Sequence, residues 1–165
     1  MDFYPAYKKQ IIMTTTTTDL IEVLNDLIKI NYDRIEGYRK AAEDSKDVDI
    51  ALHSLFQRMA DESRLNVSSL VEQVRRLGGE AERGSTTMGK IYRTWMDVKA
   101  TFTGKDRTSL LASCEFGEDQ AQKAYDEAMA SDADIDPETR QLITAQKDTL
   151  RTSHDEIKYL RDASK

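Results

Sequence analysis

The chain has 165 residues, 33% of them charged, and a formal net charge of −6, a length that suits one domain with a core of its own. The acidic balance argues against nucleic acid as a partner, because phosphate binding needs a basic surface. No apolar run approaches the roughly 20 residues of a membrane-spanning helix, so no membrane partner is expected. The single cysteine, Cys114, excludes an intrachain disulfide and fits a reducing compartment.

The chain opens "MDFYPAYKKQIIMTTTTT". Lys8 and Lys9 are followed by too few apolar residues for a signal peptide, and no small-residue cleavage pattern follows. Residues 1–17 read as a flexible tail and residues 18–165 as the folded domain. Met13 is an alternative start, and Phe3, Tyr4 and Tyr7 offer a docking surface for a neighbouring subunit. Helix one begins at Asp19, with Glu22 completing a capping box. Its seam is Ile21, Leu24, Ile28, Asn31, Ile35, Tyr38 and Ala42, in alternating steps of three and four. Helix two runs from about Asp47 to Leu77 on a seam of Phe56, Met59, Ser63, Asn66, Leu70 and Val74, and ends at Gly78-Gly79. The short join makes helices one and two antiparallel neighbours.

Residues 78–106 form a long join that is partly helical. Ser85 or Thr86 caps a helix carrying Met88, Ile91, Tyr92, Trp95, Val98 and Phe102, closed by Gly104. A helix of about 16 residues spans roughly 24 Å, most of the way back along a bundle. Helix three starts at Asp106. Helix four opens with the Asp136-Pro137 cap and carries Ile143, Gln146, Leu150, Ser153, Ile157 and Leu160 on its seam. A short join, a long crossover and a short join predict an all-α fold: a ferritin-like four-helix bundle with a long, partly helical crossover between helices two and three.

Each long helix interrupts its apolar seam with polar residues near mid-length: Asn31, Ser63 with Asn66, Glu118, and Gln146. In a dinuclear iron bundle that layer would hold carboxylates and two Glu-x-x-His pairs. Here Ser63-x-x-Asn66 and Gln146-x-x-Thr149 keep the spacing without the ligands. Neither histidine completes the motif, because Ile50 stands three residues before His53 and Arg151 three before His154. His53 reads as solvated and His154 as a residue of the core edge. Glu36, Glu62 and Glu115 each sit one step off their seams, where carboxylates usually pair with Lys or Arg. A rotated register would instead turn Glu36, Glu62, Glu118 and His154 inward as a weak metal site. Charge and ligand count favour a hydrogen-bonded polar layer of Asn31, Ser63, Asn66, Glu118 and Gln146, with no metal or cofactor and no catalytic residue. Glu118 is expected to find its partners among the other four.

Other features are weaker. Cys114 on its seam reads as a small buried hydrophobe. "LGGEAERG" lacks the lysine and strand of a phosphate loop. Arg75, Arg76, Arg83, Lys90 and Arg93 form a solvated basic face. Val23, Leu27, Ile30, Leu55 and Leu65 lie outside the seams and suggest a homodimer through helices one and two.

Several blocks together resemble a known family: "IEGYRKAAED" (35–44), "LGGEAERGS" (77–85), "YRTWMDVK" (92–99), "CEFGEDQAQKAYDEAM" (114–129) and "SHDEIKYLRD" (153–162). They are similar to a bacterial family of ferritin-like four-helix bundles of unknown function, over about residues 19–163. The resemblance implies that fold and a bacterial cytoplasmic setting. It implies no activity. The iron-ligand pairs of rubrerythrin and bacterioferritin have no match in this chain, so no ligand role is carried over. The expected function is therefore association, with itself or a protein partner; the alternative is an iron- or manganese-binding oxidase or iron-handling protein.

Overall fold

The computed structural model describes the backbone of residues 3–84, 90–101 and 106–164, and the side chains of 17–84, 90–98 and 106–164. The described residues form an all-α bundle of five helices: α1 (Phe3–Ser45), α2 (Ile50–Arg76), α3 (Lys90–Thr101), α4 (Arg107–Met129) and α5 (Pro137–Ala163). α1 starts at Phe3, upstream of the cap expected at Asp19. A cap lowers the cost of starting a helix but does not prevent an existing helix from running through it, and threonine is only weakly disfavoured there. The side chains of Phe3, Tyr4, Tyr7 and Met13, the caps at Ser85 and Thr86, and Met88, Phe102 and Gly104 lie outside the described residues.

The other helix ends follow their local chemistry. Asp49, Asp106 and Asp136 each accept a hydrogen bond from the backbone N–H three residues on, at 3.0, 2.9 and 2.9 Å. The cap of α2 is thus Asp49 rather than Asp47. Pro137 takes the first position of α5, where its missing N–H costs nothing. Gly78 closes α2 at φ +82, and Gly79 N–H reaches back to the Val74 carbonyl at 3.0 Å, an arrangement that needs a left-handed residue.

Cross-helix bonds set the topology. Asn66 of α2 meets Asn31 of α1, and Ser63 meets Arg34, so α1 and α2 are antiparallel. Tyr125 meets Asn31 and Glu118 meets Arg34, so α4 is also antiparallel to α1. α2 and α4 therefore run parallel, and the join between them must carry the chain back along the bundle. α3 lies in that join, against α1 and α4. Its anchor is Trp95, 1% exposed, whose indole N–H reaches Ser113 Oγ at 3.2 Å. The six-membered ring of Trp95 fits between Gly37 of α1 and Gly117 of α4; a Cβ at either glycine would collide with it. This explains a helix-weakening glycine inside α4.

The core has two apolar parts. One gathers Leu24, Ile28, Leu70, Val74, Ile143 and Leu150; the other gathers Tyr38, Phe56, Met59, Trp95, Leu111 and Ile157. Between them runs a polar belt.

Candidate functional site

Asn31, Ser63, Asn66, Glu118 and Gln146 are all buried. They belong to two connected networks, each spanning α1, α2, α4 and α5. In the first, Asn31 donates to Tyr125 Oη at 2.8 Å, and Tyr125 donates to Gln146 Oε1 at 2.7 Å. Asn66 donates to Asn31 Oδ1 at 3.2 Å, and Gln146 donates to the Asn66 carbonyl at 3.3 Å. Each amide is satisfied by a neighbouring helix, so the ring ties the four helices in register.

The second network, one turn along α1, is ionic. Its centre is Arg34, 2% exposed. Arg34 Nε lies 2.8 Å from Glu118 Oε1, and Nη2 lies 3.0 Å from Glu62 Oε1. Nη1 donates to Ser63 Oγ at 2.7 Å and to the Met59 carbonyl at 3.0 Å. Tyr38 donates to the same Glu118 oxygen at 2.5 Å, and its ring stands 5.0 Å from the guanidinium carbon. Ser153 of α5 donates to Glu62 at 2.9 Å. Trp95 meets Tyr38 edge-on at 5.3 Å, so the crossover helix covers this network.

The electrostatics follow from burial. Desolvation pushes the Glu118 carboxyl above the ordinary 4.5, although Arg34 and Tyr38 pull it down. Desolvation, and then the Glu118 charge, raise Tyr38 well above 10.0 and keep it a donor. Burial opposes the charge on Arg34, but Glu118, Tyr38 and Glu62 outweigh it and hold the guanidinium protonated. Glu118 Oε2 is buried and receives no hydrogen bond.

The expected partners of Glu118 are corrected here: they are Arg34 and Tyr38, and Ser63 is reached only through Arg34. Among the described residues, Glu36, Glu62, Glu118 and His154 do not gather as a metal cluster. Glu36 pairs with Arg39, Glu62 with Arg34, and Glu115 with Arg161. His154 instead faces Asp119. His53 is half-buried rather than solvated, with Nδ1 2.6 Å from the Ala42 carbonyl. Cys114 is buried. Leu27 and Ile30, outside the seam of helix one, are buried within this chain, whereas Leu65 is 71% exposed. Within the basic face, Arg76 is paired with Glu72 and Glu138.

Residues 19–131 match a domain of unknown function, DUF2383. The chain belongs to that family. No curated protein matches it. The DUF2383 match takes in the Arg34, Glu62 and Glu118 side of the belt and the Trp95 anchor. Gln146, Ser153 and His154 on α5 lie beyond it. No described helix is long and apolar enough to cross a membrane.

Proposed function

We propose that the protein is a ferritin-like bundle whose mid-bundle site has become structural, and that it acts by association, with a second copy or a protein partner, rather than by catalysis. The observation that carries this reading is Arg34. Its guanidinium lies in the mid-bundle layer, between Glu62 of α2 and Glu118 of α4, where a dinuclear bundle would place its ions. One fixed monocation satisfies the carboxylates that a metal would otherwise need, and Glu118 Oε1 is committed to two donors. The single crossover between parallel helices α2 and α4 supports the ferritin-like assignment. The buried Cys114 is in keeping with a bacterial cytoplasm. Exposed Leu65 and Tyr159 supply apolar surface for a homodimer or a partner.

Aerobic loading with Fe(II), followed by iron analysis, tests the reading. Uptake should be unchanged by Glu118→Gln or Glu62→Gln. Two irons per chain, lost in either variant, would restore the rival reading of an iron- or manganese-binding oxidase. Sedimentation tests association, and a monomer at high micromolar concentration would remove the homodimer.

A further inference from the structure

We propose a divalent-cation site, of the zinc(II) class, in the groove between α4 and α5, formed by Glu115, Asp119 and His154. Glu115 and Asp119 are four residues apart on α4, so both carboxylates leave the same face. His154 approaches from α5. One ligand atom from each lies within 4.8 Å of the other two. Small side-chain rotations bring such a set onto one ion at about 2.0–2.2 Å.

The orientation of His154 is the independent observation. Nε2 points at Asp119 Oδ1 at 2.7 Å, while Nδ1 lies 3.2 Å from Asp155 Oδ1. A metal-binding histidine typically gives its second ring nitrogen to a carboxylate, which fixes tautomer and direction. Asp155 does that here, and an ion would replace the proton that Nε2 shares with Asp119. The site also favours positive charge. Asp119 and Asp155 face the two ring nitrogens of His154, and Glu115 completes the acidic surround.

Arg161 is the competing cation, with Nη1 2.5 Å from Glu115 Oε2. A dication would displace Arg161 from Glu115, leaving it its second partner, Asp162. One imidazole and two carboxylates suit zinc or cobalt, and three protein ligands leave a coordination position for water. Calcium and magnesium prefer oxygen ligands alone. The site lies outside the Arg34 network and would tie α4 to α5.

Titration calorimetry of the full chain with zinc chloride tests this, supported by Co(II) absorption spectra and thermal melts. One zinc per chain is expected, with a rise in Tm. His154→Gln and Asp119→Asn should weaken binding at least tenfold and abolish the rise, while Arg161→Gln tightens it and Glu118→Gln leaves it unchanged. The proposal is overturned if the wild type shows no saturable one-to-one uptake, or if uptake survives His154→Gln. Uptake lost in Glu118→Gln but retained in His154→Gln would place the ion in the belt and overturn both this site and the structural reading of Arg34.

Discussion

Arg34 and Glu118 face each other in the belt, yet removing them should have very different consequences. The network holds one cation, Arg34, and two carboxylates, Glu62 and Glu118, whose side chains are 17% and 0% exposed. Glu118→Gln removes one negative charge and leaves the Arg34–Glu62 pair neutral. The amide oxygen still accepts from Arg34 and Tyr38. Its NH2 takes the position of Oε2, which receives no hydrogen bond, so one buried donor is left unsatisfied at a cost of about 1–3 kcal/mol. Relief of the buried charge offsets that cost, and the net change should stay within about 1 kcal/mol. Arg34→Met keeps the length and the apolar stem but leaves both carboxylates without their cation. Breaking a buried pair in this way costs about 3–5 kcal/mol, roughly two to four powers of ten in the folding equilibrium. Urea denaturation of both variants at pH 7 measures the contrast. The pH dependence carries a sign as well. A carboxyl with a raised folded-state pKa adds stability below its unfolded pKa and loses it as pH rises through the folded value. Glu118 is already raised, and losing Arg34 raises it further. The Arg34→Met deficit should therefore shrink between pH 7 and about pH 4.5. An Arg34→Met protein within about 1 kcal/mol of wild type at pH 7, or no better at lower pH, would refute the charge count.

Trp95→Ala should cost about 3–5 kcal/mol by denaturant melt, because the ring is fully enclosed between α1 and α4. Gly117→Ala, a change that normally stabilises a helix by about 1 kcal/mol, should instead lower Tm, since overpacking against Trp95 costs about 1–3 kcal/mol; in a Trp95→Ala background the sign should reverse. Asp136→Ala should lose about 1 kcal/mol at pH 7. Burial raises the Asp136 pKa, but the bonds from Thr139 outweigh it and lower the value below 3.8, so the cap's contribution is present above that pH and is lost as pH falls through the lower folded value. Wild type and variant melts should therefore converge near pH 2.

The caps at Asp106 and Asp136, the stop at Gly78 and the polar positions of the belt were legible because each rests on local chemistry or on seam spacing. Asp49, Asp106 and Asp136 act through atoms three residues away, and Gly78 through its own φ. Asn31, Ser63, Asn66, Glu118 and Gln146 stood out as polar residues on apolar seams. Arg34 was hidden by the same logic. It is three residues after Asn31 and four before Tyr38, so it fits the stripe as well as Ile35 does, and both are buried. A seam two residues wide at that turn carries one apolar and one charged side chain, and the expectation that arginine faces water assigns it outward. The signal that would have placed it inside is charge balance. A buried Glu118 needs a cation, and Arg34 is the arginine on the core stripe of helix one. Tyr125 was concealed differently: its ring belongs to the apolar seam while its hydroxyl closes the amide ring, a double role that spacing alone does not separate. The pairing across helices, and the slot that Gly37 and Gly117 leave for Trp95, depend on axial register between α1, α3 and α4. Register is a property of the packed bundle, so a glycine inside a helix reads in sequence only as a weak point, and becomes a docking surface once the facing ring is in place.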